Sequence, residues 1–336
     1  MKIVLIGDVM LGRLVNEQLR SADAAFPWGD TLELLRGADL CVANLECVLA
    51  DDGAPWPHKV FHFRSDSRNV ACLEAAGIDV VTLANNHVLD FGRQALREML
   101  PLLDAHGILH TGAGMDRPAA RRAAFFAPAA GSGGKGPVAV LAFTDNEPGW
   151  EATAGAAGVH HVPVEPADPR AAALFDLVRQ TAAAEGRLLI VSAHWGPNWG
   201  SEVPPVHREF ARALVDAGAD VVFGHSAHIF RGVEVYRGRP LIFSAGDFVD
   251  DYAVDPYERN DESFIFELEV HGGVPQLLRL HPTVIEDFHA ALAGPRAARI
   301  GGRMQRLSAE LGTPCRWLEE ESVLEVRLAG TGPPAR

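Results

Sequence analysis

The chain has 336 residues, 48% of them hydrophobic, enough apolar material for a substantial core in one large domain or two ordinary ones. Its 44 acidic against 30 basic residues give a formal charge of -14 with no dense Lys/Arg cluster, which argues against nucleic acid as a partner; small anionic substrates stay compatible if a bound cation reverses the local field. Cys41, Cys47, Cys72 and Cys315 form no CxxC pair and no zinc-finger spacing, so neither a disulfide framework nor a structural zinc site is expected, and a reducing compartment fits.

In chain order, "MKIVLIGDVMLGR" opens with an apolar run broken at Gly7 and Asp8. That run is too short for a signal-peptide core or a membrane span, and reads as the first strand with Asp8 at its end. No later segment has the roughly 18 consecutive apolar residues of a spanning helix, so an unanchored, cytoplasmic protein is expected. "DLCVAN" is the second predicted strand and leads into Asn44 and Glu46. "DVVTLANNHVLDFG", residues 79 to 92, is a buried strand that ends directly in Asn85, Asn86, His87 and Asp90. "GRQALREMLPLLDAHG" has helical periodicity and a closing glycine, and "APAAGSGGKGP", residues 127 to 137, reads as an exposed loop. "VAVLAF" is a strand and "DPRAAALFDLVRQTAAAEG" a helix. "LLIVSAH" ends in His194, with Trp195 and Asn198 just beyond, and "DVVFGH" ends in His225 with His228 three residues on. "PLIFSAGD" carries the chain to Asp247, before an acidic turn with Asp250 and Asp251. From about residue 261 a Gly-Gly turn joins two strands of a hairpin. Residues 294–336 read as a helix and a loosely held tail added to one domain of residues 1–293.

Strand and helix patterns alternate through most of the chain, the sign of βα units and a sheet covered on both faces. In such a sheet the carboxyl ends of the strands share one edge, where ligands bind. Asp8, Asn44, Glu46, Asn86, His87, His194, His225 and His228 all follow predicted strands. Imidazoles, carboxylates and an amide carbonyl, without thiolates, suit a divalent Zn, Mn or Fe ion, one or two in number, of the kind that activates water and clamps a phosphoryl group. His87, beside the ligand Asn86, is then placed to donate a proton to a leaving oxygen or to hold a substrate anion. Singly, each Asn or Asp after a strand is explained by a turn or a helix cap, and a lone buried histidine by a satisfied core position. The pair His225 and His228 is more telling, because the preceding glycine lets the chain turn and bring both rings to one point.

In order, "GDVMLGR", "ANLE", "LANNHVLDFG", "HTGAG", "SAHWG", "GADVVFGHSAH" and "IFSAGDFVDD" resemble the bacterial capsule-synthesis (CapA-like) or poly-γ-glutamate biosynthesis family of the calcineurin-like metallophosphoesterase superfamily, over residues 1 to about 252. The resemblance implies a four-layer α/β/β/α sandwich with a metal centre at the strand ends. By position it implies Asp8, Glu46, Asn86, His194, His225 and His228 as metal ligands, with Asn44, Glu46 or both coordinating in the second motif, and Asn86 with His87 as the superfamily's Asn-His pair. From the residues themselves, His87 is the expected catalytic residue, and Asn44, Asn85, Trp195 and Asn198 are expected contacts for a small anionic or peptide-like substrate. Several positions depart from the family pattern. Met10 stands where the superfamily has a histidine ligand, "NLE" where it has a Gly-Asp motif, Asn198 where an acid is frequent, Ala227 where a proline is common, and Asp247 where "GNF" is common. The expected function is a metal-dependent hydrolase of a phosphoester or related anionic bond. The alternatives are an enzyme of γ-glutamyl amide bonds and a non-catalytic binding protein. Nothing in the pattern bears on oligomeric state.

Overall fold

The computed structural model describes residues 1–128, 136–183 and 187–328. Two β-sheets stack face to face. The larger has ten strands, running from Arg316–Leu318 through Val323–Arg327, Val274–Glu286, Glu262–His271, Lys2–Val9, Leu40–Leu45 and Val80–Thr82 to Leu109–Thr111; Asp247–Val249 and His289–Leu292 pair off this path. The smaller has six strands, in the order Val233–Tyr236, Arg239–Ile242, Val221–His225, Leu188–His194, Val138–Thr144 and Ala124–Phe126.

Side-chain alternation shows how the layers follow from sequence. Successive residues of a strand point to opposite faces. In Lys2–Val9, Val4 and Ile6 pack outward against helix residues such as Val15, Leu96 and Met99. Ile3 and Leu5 point inward to meet Val138, Val140, Leu188, Ile190, Val221 and Phe223 of the other sheet. Leu189, Val191 and Ala193 face out again, onto Leu174 and Val178 of the helix Pro169–Ala182 and Phe210 and Leu214 of Pro205–Ala217. Both faces of the central strands are therefore covered, which is why these strands read as unbroken apolar runs. The architecture is the expected α/β/β/α sandwich.

Local chemistry sets the element ends. Asp168 caps Pro169–Ala182 by accepting from Arg170 N at 2.8 Å, with proline at the first helical position, and Gly218 (φ 118) stops Pro205–Ala217 in the left-handed region. Gly272 (φ 58) and Gly273 (φ 77) form the hairpin turn as the sequence predicts.

The C-terminal expectation needs correction. The helix is present as Ala297–Glu310, but residues 311–328 after it are not a loose tail: Val323–Arg327 pairs with Val274–Glu286 (Leu278 opposite Val326, Leu280 opposite Leu324), and Leu324 and Val326 are buried between the sheets; residues 329–336 of the expected tail lie outside the described residues. These strands are short, and Glu319, Glu320 and Glu321 lie between them, so the apolar alternation that would reveal them is brief. Of the predicted 127–137 loop, residues 129–135 lie outside the described residues, as does Gly186, expected to close a helix. Among the described residues no helix is long and apolar enough to cross a membrane.

Candidate metal centre

The parallel strands deliver their terminal polar residues to one point. Asp8 lies in register with Asn44 on one side and Asp247 on the other, while His194 and His225 are register partners on adjacent strands of the second sheet. The sheets meet where His225 Nδ1 lies 3.2 Å from Asp8 Oδ1 and where His194 Nε2 lies 3.0 Å from Asn86 Oδ1. Residues separated by more than 200 positions thus share one buried site. His228 reaches it from a loop that holds two non-glycine residues, Ser226 (φ 93) and His228 (φ 58), in the left-handed region, a strain that clusters at functional sites.

Behind this ring lies a layer of amides. Asn44 Nδ2 donates to Asp8 Oδ1 (2.8 Å) and Glu46 Oε2 (3.3 Å). Asn85 Nδ2 donates to Asn44 Oδ1 (3.2 Å) and Leu45 O (2.8 Å), and its Oδ1 accepts from the backbone of His87 and Val88. Both asparagines are fully buried and occupied. Their expected substrate contacts are therefore corrected to bracing the carboxylates and shaping the Asn86-His87 turn. Trp195 is corrected as well. It lies fully buried in the outer helix-covered core, stacked on His207, with Nε1 donating to Phe243 O at 2.9 Å. Asn198, in contrast, lines the cavity beside the centre.

That cavity has a volume of about 430 Å³, and its walls include Arg13, Lys59, Phe63, His87, Trp199 and Tyr252. His87 stacks on Phe63 (3.9 Å between ring centres), and its Nδ1 lies 2.7 Å from Asp90 Oδ2. Asp90 also accepts from Phe63 N at 2.7 Å and from Lys59, whose ammonium reaches Asn86 O too. The Arg13 guanidinium stands over the rings of Phe63 and Tyr252 and beside Asp251 (3.3 Å). Arg13 ends the motif "GDVMLGR" and Tyr252 follows "IFSAGDFVDD", whereas Lys59 and Phe63 come from a stretch without periodicity that gives no sequence signal.

Whether these residues fit a cation is answered by the atoms left over. Asp8 Oδ2, Glu46 Oε1, His194 Nδ1, both ring nitrogens of His225 and Asp247 Oδ2 are buried without a hydrogen-bond partner. Each such atom costs about 1–3 kcal/mol unless something binds it. Two groups have ligand atoms all within 4.8 Å of one another, Asp8 with Glu46 and His194, and Asp8 with His228 and Asp247. Burial, then the charge of Asp8, pushes the Glu46 and Asp247 carboxyls well above the usual range, and burial with Asp247 does the same to Asp250. For Asp8 burial acts upward too, but the imidazoles of His225, 3.2 Å away, and His194 together outweigh it and hold the group low. Burial lowers His194 to about 3 and also lowers His228, leaving both neutral, the form that ligates. Crowded carboxylates and neutral imidazoles with unused lone pairs are a divalent-cation donor set.

Residues 2–252 match the model of the bacterial capsule synthesis protein PGA_cap family, and the chain belongs to that family. It is 36% identical over 290 residues to the Mycobacterium tuberculosis (strain H37Rv) protein named "Probable polyglutamine synthesis accessory protein", covering 74% of each chain. It is 29% identical over 250 residues to the PGA biosynthesis protein CapA of Bacillus subtilis, covering 73% of this chain and 62% of that one.

Proposed function

We propose that this member of the capsule synthesis family is a metal-dependent hydrolase that cleaves a phosphoester or related bond of a small anionic substrate. One observation carries the reading: partnerless buried carboxylate and imidazole atoms, brought from strands far apart in sequence, meet beside a cavity that carries Arg13 and Lys59. Asp8, Glu46, Asn86, His194, His225 and His228 would hold one or two divalent ions of Mn, Fe or Zn, supplying Lewis-acid polarisation and water activation at neutral pH. The chain's own side chains do the remaining work. Arg13 and Lys59 bind the anionic part of the substrate. Phe63, Trp199 and Tyr252 wall the cavity and keep bulk water from the scissile bond. Asp90 fixes the His87 ring through Nδ1 and leaves Nε2 free; burial holds His87 at about 4, so at neutral pH Nε2 carries a lone pair, and the proton it passes to the leaving group is one it first takes from the attacking water. Four unpaired cysteines support a cytoplasmic setting.

The names of the relatives favour a second reading, in which the bond is a γ-glutamyl amide and Arg13 reads a neighbouring carboxylate. Metal-free protein reconstituted with Mn²⁺, Fe²⁺ or Zn²⁺ and assayed on phosphomonoesters, phosphodiesters and γ-glutamyl peptides separates the two. Release of phosphate from monoesters, or of an alcohol and a phosphomonoester from diesters, supports the first and glutamate release the second. Inactivity of metal-loaded protein on all of them leaves a non-catalytic accessory role. Equal metal content in wild type and His225→Ala refutes the site itself.

A further inference from the structure

The superfamily's first motif supplies a histidine where this chain has Met10, and Met10 does not replace it. Its side chain is buried in the helix-side core, and its Sδ accepts from Gly12 N at 3.1 Å. A different strand brings a buried carboxylate beside Asp8. Asp247–Val249 runs parallel to Lys2–Val9 with Asp247 in register with Asp8, fixed by Asp8 N donating to Gly246 O (3.1 Å) and Met10 N donating to Val249 O (2.8 Å). The geometry points to Asp247 as a direct ligand of a second ion, bound together with Asp8 and His228 in place of the missing motif histidine; this rests on the metal-centre reading above.

Three observations support it. Asp247 is 1% exposed, yet its Oδ2 has no hydrogen-bond partner, so one carboxylate oxygen is buried and unused beside the centre. Its Oδ1 lies 2.9 Å from His228 Nδ1, which holds the carboxylate in one orientation. The Asp8, His228 and Asp247 donors lie within 4.8 Å of one another, and Asp8 is common to this group and to the one with Glu46 and His194. Two adjoining positions sharing one carboxylate follow from that overlap. A carboxylate in place of an imidazole adds negative charge, and oxygen donors shift preference toward Mn²⁺ relative to softer ions.

A rival role for Asp247 is to orient His228 without touching an ion, as carboxylates behind metal-bound histidines do. Titration of metal-free protein with Mn²⁺ alone, read by calorimetry and electron paramagnetic resonance, tells them apart in the wild type, Asp247→Asn and Asp247→Ala. An asparagine keeps an oxygen to accept from His228 Nδ1 but loses the charge, and its near-identical shape protects the fold. Expected are two magnetically coupled ions in the wild type, with the second lost from Asp247→Asn or held at least about tenfold more weakly. Wild-type affinity and coupling in Asp247→Asn overturn the proposal, including the case in which only Asp247→Ala is impaired. A single ion in the wild type overturns it too and leaves the proposed function standing. No bound Mn²⁺ in the wild type overturns the proposal, and if Fe²⁺ and Zn²⁺ are not taken up either, the proposed function falls with it.

Discussion

Gly7→Ala tests the contact that sets the two halves of the centre side by side. A Cβ built on Gly7 would lie 1.9 Å from the carbonyl oxygen of Gly246 and 3.3 Å from Ala245 Cβ. Real Cβ atoms essentially never come within 3.0 Å of such an atom, so the strands must part by at least 3.0 − 1.9 = 1.1 Å. The obstacle is backbone and cannot rotate aside. That carbonyl also accepts from Asp8 N at 3.1 Å, so parting the strands loosens the hydrogen bond that fixes Asp8 against Asp247. Overpacking of about 1–3 kcal/mol and the loss of one hydrogen bond of about 1 kcal/mol give an expected destabilisation of about 2–4 kcal/mol. The urea midpoint should fall by the corresponding amount at unchanged slope, and metal uptake should weaken with it. Gly155→Ala is the control: nothing lies within 4 Å of a Cβ there and its φ is not positive, so it should stay within about 0.5 kcal/mol of wild type. A Gly7→Ala protein with the wild-type midpoint and metal content would refute the close approach and the placement of Asp247 that depends on it.

Further outcomes follow from other parts of the molecule. Burial holds His160 and His207 at about 4, below the ordinary 6.5, so below pH 6.5 the unfolded chain takes up protons that the folded chain refuses; stability should fall as pH drops from about 6.5 to about 4, by up to about 3 kcal/mol for each. His207→Phe, which keeps the stack on Trp195, should flatten this limb in denaturation curves taken at pH 7 and pH 4.5, and an unchanged acid slope would show that His207 does not contribute. A chain ending at residue 312 lacks both C-terminal strands and bares Leu278 and Leu280; it should aggregate or bind a hydrophobic dye, whereas a soluble product with the wild-type urea midpoint would contradict the sheet order. Arg13→Ala should raise KM for an anionic substrate by about 10–100-fold, the share of one charge-assisted hydrogen bond, while leaving Mn²⁺ uptake intact, and equal KM values would remove Arg13 from substrate binding.

Much of the fold is legible in the sequence because its central strands are covered on both faces and form continuous apolar runs, each ending where a polar residue begins. "KIVLIG", "LLIVSAH" and "DVVFGH" mark strands that the structure contains as Lys2–Val9, Leu188–His194 and Val221–His225. The C-terminal strands were not legible, since "RWL" and "VLEVR" carry little pattern of their own. What makes them strands is the free edge of Val274–Glu286, a tertiary fact.

At the centre the sequence reveals which residues reach the edge but not which way they face. His194 and Trp195 are neighbours at the end of one strand, and alternation sends the first to the metal donors and the second into the outer core. Asn85 and Asn86 divide in the same way: one braces Asn44 and Leu45, and the other meets His194. Asp247 shows the opposite failure. In the linear sequence it belongs to an acidic turn with Asp250 and Asp251, and an exposed turn explains such a run equally well. Only the register of a three-residue strand, admitted beside Asp8 because Gly7 has no side chain, turns that aspartate into a buried carboxylate with a partnerless oxygen beside the centre. A lost ligand in a motif is thus weak evidence of a lost site, since strands distant in sequence can supply the missing oxygen through pairing that no local pattern records.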